Sequence, residues 1–196
     1  MVQGAGWGRL RLWLQQPTDR RILYFGAQFI PPNPLIRKRI MTLNVLIDLG
    51  YEFEVNANAS EVFGVLADVP TSANFFPKVD KLVDLGGGSY RWEMAKIGVG
   101  QVNLQTIYAS HYVADPAKGT VVWTPVQGEG NALVSGSWKI TGKKKSTVVV
   151  LKIKGDLTLP LPGLMKMMVA PMVEAEFEKM TELYIDNLTQ RFGGEV

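Results

Sequence analysis

The chain has no cysteine and one histidine, His111. Without thiols there is no disulfide framework, no thiolate nucleophile and no cysteine-based zinc or iron–sulfur site. A single histidine excludes a paired-histidine metal centre, and any Ser-His-Asp triad would have to use His111. Apolar runs are short. The longest near the N-terminus, Ile22 to Ile30, is interrupted by Gly26 and Gln28 and falls well below the ~20 residues that span a bilayer. No glycine-rich phosphate loop precedes a helix, because Gly86-Gly87-Gly88 sits between two strand-like segments. Repeats and low-complexity tracts are also missing. No cofactor or metal site is read, and the lack of cysteine fits a reducing, cytoplasmic setting.

What is present divides unevenly. Residues 1–40 hold seven bases and one acid, a net of +6, whereas the remainder holds 14 bases and 17 acids, a net of −3. The basic balance therefore belongs to the leader. Nucleic-acid binding by the mildly acidic main part is not expected, since phosphate contacts need a basic face. The leader has no hydrophobic period and no serine, which argues against a transit peptide. It also lacks the small-residue cleavage site of a signal peptide. Residues 1–40 are read as a disordered basic leader or an over-extended start ahead of Met41, and residues 41–196 as one domain.

Within that domain Leu43–Val55 alternates as a strand, with Tyr51, Phe53 and Val55 against Glu52 and Glu54. Asn58-Ala-Ser-Glu61 is a capping-box pattern opening a short helix with Val62, Phe63, Val65 and Leu66 on its apolar side. Asp68-Val-Pro-Thr71 breaks it, Asp68 capping the next turn, and Ser72–Phe76 makes one further turn before Pro77. Six strands follow at Val79–Leu85, Tyr90–Ala95, Gln101–Val113, Thr120–Val126, Ala132–Thr141 and Thr147–Leu159. Short turns such as Asp115-Pro-Ala-Lys-Gly119 separate them, which implies an antiparallel meander. Pro162 to about Phe192 is a long amphipathic helix stopped by Gly193-Gly194.

That helix carries four methionines in eight residues, Met165, Met167, Met168 and Met172, with Pro171 among them. Methionine is a soft filler that suits surfaces accepting varied apolar shapes, and an internal proline bends a helix. Core filling is the plainer reading of such a stripe.

The order strand, two short helices, six antiparallel strands and a long helix resembles the START-like (SRPBCC) superfamily, which includes birch-pollen-allergen relatives, polyketide cyclases and coenzyme Q-binding proteins. The local likeness lies in Asn58-Ala-Ser-Glu-Val-Phe-Gly-Val-Leu-Ala-Asp68, Phe75-Phe-Pro77, Val79 to Gly88 and the terminal helix. It extends in architecture from about Leu43 to Phe192. The resemblance implies an α+β helix-grip fold, a curved antiparallel sheet (β-α-α-β6-α) wrapped around the C-terminal helix with an apolar cavity between them. Met165, Met168, Met172 and Met180 would then face the sheet, with Pro171 near the cavity mouth.

Candidate ligand contacts are Trp92, Met94, Thr106, Tyr108, Trp123 and Trp138 from the strands, joined by those four helix methionines. Each tryptophan is large enough to shape a pocket or to sit in a core with its N–H satisfied. Gln105, Thr106 and Tyr108 either enter the cavity or form an outward polar face. His111 has opposite strand parity to Tyr108 and reads as a surface or rim residue. Glu93 and Asp156 read as ordinary solvated strand charges. Lys143-Lys-Lys145 is a hairpin tip whose sharper reading is weak peripheral contact with an anionic membrane. The expected role is binding of a hydrophobic or amphipathic small molecule such as a lipid, quinone, polyketide or aromatic metabolite, with no catalytic residue assigned. The alternatives are a cyclase or hydratase using a pocket tyrosine or histidine, and an accessory protein acting at a membrane or partner.

Overall fold

The structure, a computed structural model, describes residues 42–99 and 102–196. Residues 1–41, which include the leader, and Gly100-Gln101 lie outside the described residues. The elements run β1 (Leu43–Val55), α1 (Ala59–Ala67), α2 (Val69–Ala73), β2 (Val79–Gly86), β3 (Ser89–Met94), β4 (Ile97–Val99), β5 (Val102–Leu104), β6 (Ile107–Asp115), β7 (Thr120–Val126), β8 (Ala132–Gly142), β9 (Thr147–Leu159) and α3 (Lys166–Arg191). A seven-stranded antiparallel sheet has the order β1-β9-β8-β7-β6-β3-β2. The meander is as expected, and the first strand closes onto the last, Leu43 opposite Leu159 and Val55 opposite Thr147.

Two local departures have physical causes. The expected long strand Gln101–Val113 is interrupted at Gln105-Thr106, and β4 and β5 pair as a separate hairpin. The Asn131 side chain makes the break by accepting from Ile107 N–H at 2.8 Å and donating to the Gln105 carbonyl at 3.0 Å. Meanwhile α2 starts earlier than expected. Pro70 falls in its first turn, where the missing N–H costs nothing, and Asp68 caps it by accepting from Thr71 N–H at 2.9 Å. Asn58 caps α1 in the same way from Glu61 N–H. Glu61 itself turns to Arg191 at 3.0 Å, so only half of the capping box forms.

α3 follows a 3-10 turn at Gly163–Met165 and runs unbroken through Pro171. Gly193 and Gly194 then take left-handed φ values of 85° and 92° to stop it. Its buried stripe is Val169, Val173, Phe177, Met180, Tyr184 and Leu188. The core it covers is in two parts. One gathers Leu43, Val45, Ile47, Trp92, Met94 and Leu157 under the first half of α3. The other gathers Tyr51, Phe53, Trp123, Trp138 and Leu151 under the second half. At ~25 cal/mol per Å² of apolar area, this two-sided burial is the main force holding helix to sheet.

Candidate ligand cavity

A cavity of about 60 Å³ lies at the seam between the two core clusters. Strand alternation supplies its walls from the sheet: Trp92 of β3, Tyr108 and Tyr112 of β6, Trp123 of β7, Val134 and Trp138 of β8, and Leu151 and Ile153 of β9. Phe177, Thr181 and Tyr184 close it from α3, at the helical spacing that puts them on one face. Leu66, Val69, Ser72 and Phe76 close the end at α1 and α2. No Asp, Glu, Lys, Arg or His is among these lining residues.

The aromatic walls form a continuous run. Tyr90 meets Tyr112 edge-on at 6.0 Å, Tyr112 stacks on Trp123 at 5.8 Å, and Trp123 meets Trp138 at 6.5 Å. Tyr184 touches both Trp138 and Phe76, and Phe76 meets Trp92 edge-on at 6.1 Å. Trp92 stacks on Tyr108 almost in parallel at 6.0 Å. Such offset and edge contacts add to burial rather than merely filling space.

Few polar groups interrupt this surface. Ser72 and Tyr184 share a short hydroxyl–hydroxyl hydrogen bond, and the Thr181 hydroxyl donates to the Phe177 carbonyl at 2.8 Å. The Trp92 indole N–H is buried without a completed hydrogen bond, although it lies near enough to Tyr112 to favour that phenolate slightly. Burial, with smaller contributions from neighbouring phenols, pushes the Tyr108 and Tyr112 hydroxyls well above their ordinary range. Burial does the same to Tyr184, opposed by its bond to Ser72. At neutral pH these phenols are hydrogen-bond donors and not bases.

Of the sequence-derived candidates, Trp92, Tyr108, Trp123 and Trp138 come together here. Met94 and Met180 are buried in the first core cluster beside the cavity. Thr106 and Met172 line a second hollow of about 140 Å³ between α3, the β4–β5 hairpin and β9. Met165 is half-buried against the core. Met168 is 60% exposed, which corrects the expectation that it faces the sheet, whereas Met172 is 48% exposed at the edge of that hollow. They sit one residue before Val169 and Val173, about 100° around the helix from the buried stripe. His111 is on the opposite side of β6 from Tyr108 and meets Ser89 at 3.2 Å, away from the cavity. Glu93 pairs with Arg91 at 2.9 Å, and one Asp156 carboxylate oxygen is buried without a partner, unlike a freely solvated charge. Tyr112, Phe76, Ser72, Phe177 and Tyr184 were missed as walls. The parity of Tyr112 with Tyr108 was the available signal for the first.

Two larger depressions flank α2. One of about 300 Å³ shares Val69 and Tyr112 with the cavity, and one of about 510 Å³ shares Phe76. Three side chains thus separate the inner cavity from open grooves on either side of a five-residue helix.

Residues 47–189 match the family model described as polyketide cyclase / dehydrase and lipid transport. Among solved structures, the Zhui aromatase/cyclase from Streptomyces sp. R1128 is similar with a TM-score of 0.57 and 19% identity, over 76% of this chain and 94% of that one. A START superfamily protein from Mycobacterium smegmatis is similar with a TM-score of 0.55 and 16% identity, over 74% and 97%. At these identities the likeness establishes the helix-grip fold. No curated protein matches the sequence significantly.

Proposed function

The chain belongs to the polyketide cyclase / dehydrase and lipid transport family, and from that premise we propose that it binds a planar, apolar small molecule, aromatic or conjugated, between the sheet and α3. The observation that carries this reading is the unbroken run of aromatic rings around an uncharged cavity, with the Trp92 N–H lacking a full partner on its wall. A flat ligand would stack on these faces, and a single carbonyl would satisfy that donor. Ligand cavities usually run to ~300–1,000 Å³, so the 60 Å³ space has to grow by withdrawal of Val69, Phe76 and Tyr112 into the flanking grooves. Binding is therefore coupled to movement of α2.

Native mass spectrometry of gently purified protein, followed by organic extraction, tests the reading. A stoichiometric apolar adduct that quenches tryptophan fluorescence on rebinding is the expected result. Folded protein that is empty, and that also binds no polycyclic aromatic or quinone probe, would overturn it. A catalytic reading is favoured by one feature, the protonated Tyr108 phenol on the cavity wall, which could polarise a bound carbonyl toward cyclisation. Tyr108→Phe distinguishes the two: lost turnover with intact ligand affinity identifies an enzyme, and unchanged behaviour a carrier.

A further inference from the structure

The hollow between α3, the β4–β5 hairpin and β9, about 140 Å³, is larger than the aromatic cavity of about 60 Å³. Its walls differ in kind. Ile97 and Leu104 of the hairpin, Leu157 and Leu159 of β9, and Met172 and Val173 of α3 are all aliphatic, and no aromatic ring lines it. Its polar side chains are Thr106 and Glu176, the latter already paired with Lys78. The two spaces are neighbours on each element that walls them both. Thr106 precedes Tyr108 by two residues, about 7 Å along an extended chain. Val173 precedes Phe177 by one turn on the same face of α3. On β9, Ile153 walls the cavity and Leu157 the hollow, and the inward position between them is Gly155, which has no side chain to block the way. Met94 stands beside both: it is the next inward residue after Trp92 on β3, and its N–H donates to the Thr106 carbonyl at 2.9 Å. Met180 packs in the same core cluster from α3.

We infer that the hollow is the second half of one ligand site, and that it takes an aliphatic chain attached to the planar group held at the aromatic walls. The inference rests on the aromatic cavity being the site of that planar group. Rings gain from stacking on rings, whereas a hydrocarbon chain gains from burial against aliphatic walls alone. The division of the walls therefore selects a ligand with one end of each kind. Methionine is unbranched and changes rotamer at little cost, so Met94 and Met180 form a soft partition that parts to let the chain through. The hollow, at about 140 Å³, holds about four methylenes if each takes near the ~30 Å³ of a water molecule.

The test is a tryptophan-quenching titration of the full-length chain with naphthyl methyl ketone and its homologues bearing butyl, hexyl and decyl chains in place of methyl. Affinity should rise by about fourfold for each methylene buried, on the order of a hundredfold by the hexyl ketone. The decyl ketone should gain little more, because the hollow is then full. Leu104→Phe fills the hollow from the β4–β5 hairpin, which is outside the seven-stranded sheet, and should flatten the series. A circular dichroism melt reports whether that variant is folded. If it is not, the series on the native protein decides alone. Equal affinity for the methyl and hexyl ketones, or a rise that continues undiminished to decyl, would overturn the inference. So would a gain of the same size in folded Leu104→Phe protein. Binding of the methyl ketone with no gain from the chain overturns this inference and leaves the aromatic cavity standing. Binding of no ketone in the series overturns both.

Discussion

Gly136 occupies the point on β8 opposite Trp123, and a side-chain carbon there would overlap both the Trp123 indole and the Lys152 carbonyl. The glycine is needed for space, so that the indole can lie flat over the neighbouring strand and leave the cavity open. Gly136→Ala should therefore drive the ring inward. The expected cost is about 1–3 kcal/mol from overpacking, seen as a lower urea midpoint, together with a loss of ligand affinity larger than the stability change explains. An unaltered midpoint and affinity would show that Trp123 can move elsewhere. A second single-residue constraint is Lys78, which holds a left-handed φ of 58° without being glycine. Its ammonium pairs with Glu176 of α3, and its carbonyl accepts from Ala95 N–H at 2.7 Å. The residue is a strained clasp between the loop after α2 and α3.

Among the elements, α2 is the one placed to move. It has five residues, capped at Asp68 and Asn74, with open depressions on both flanks. Releasing the clasp should loosen it. Glu176→Gln is expected to speed ligand exchange several-fold in stopped-flow fluorescence while changing stability by less than about 1 kcal/mol, as exposed ion pairs contribute little. Equal exchange rates would assign gating to another element. The strands were legible in the sequence because one buried face imposes a period of two, and β1 and β9 fall at Leu43–Val55 and Thr147–Leu159 as read. The break at Gln105 was not legible, since it depends on Asn131, a side chain from a different turn. Helical spacing gave α3 its apolar side but not the centre of that side. Whether Met168 or Val169 points inward is decided by what the sheet and the β4–β5 hairpin cover. The tryptophan walls were readable as large alternating residues. Phe76 and Ser72 were not, because their role depends on where α2 lands.

For the whole molecule, the buried phenols set an alkaline limit. Burial holds the Tyr51, Tyr108, Tyr112 and Tyr184 hydroxyls above their ordinary value, so the folded state keeps protons that the unfolded state releases. Stability is then undiminished below about pH 10 and falls as pH rises beyond it, by up to ~1.4 kcal/mol per pH unit for each tyrosine. Urea midpoints at about pH 9 and about pH 11 should differ clearly, and Tyr108→Phe should remove about a quarter of the slope. A flat profile would mean that these hydroxyls ionise freely in the fold.

The pairing of β1 with β9 has a consequence for biosynthesis. Each residue of the first strand waits for a partner about 90 to 120 positions later in the chain. At ~5–20 residues per second of translation, β1 spends on the order of 5–25 s outside the ribosome with its apolar face uncovered. The sheet cannot close until β9 emerges, and α3 cannot seal it until later still. Folding of this domain thus waits until its last strand and helix have been made. The nascent Leu43–Val55 segment is the natural client for a chaperone that shields extended apolar strands.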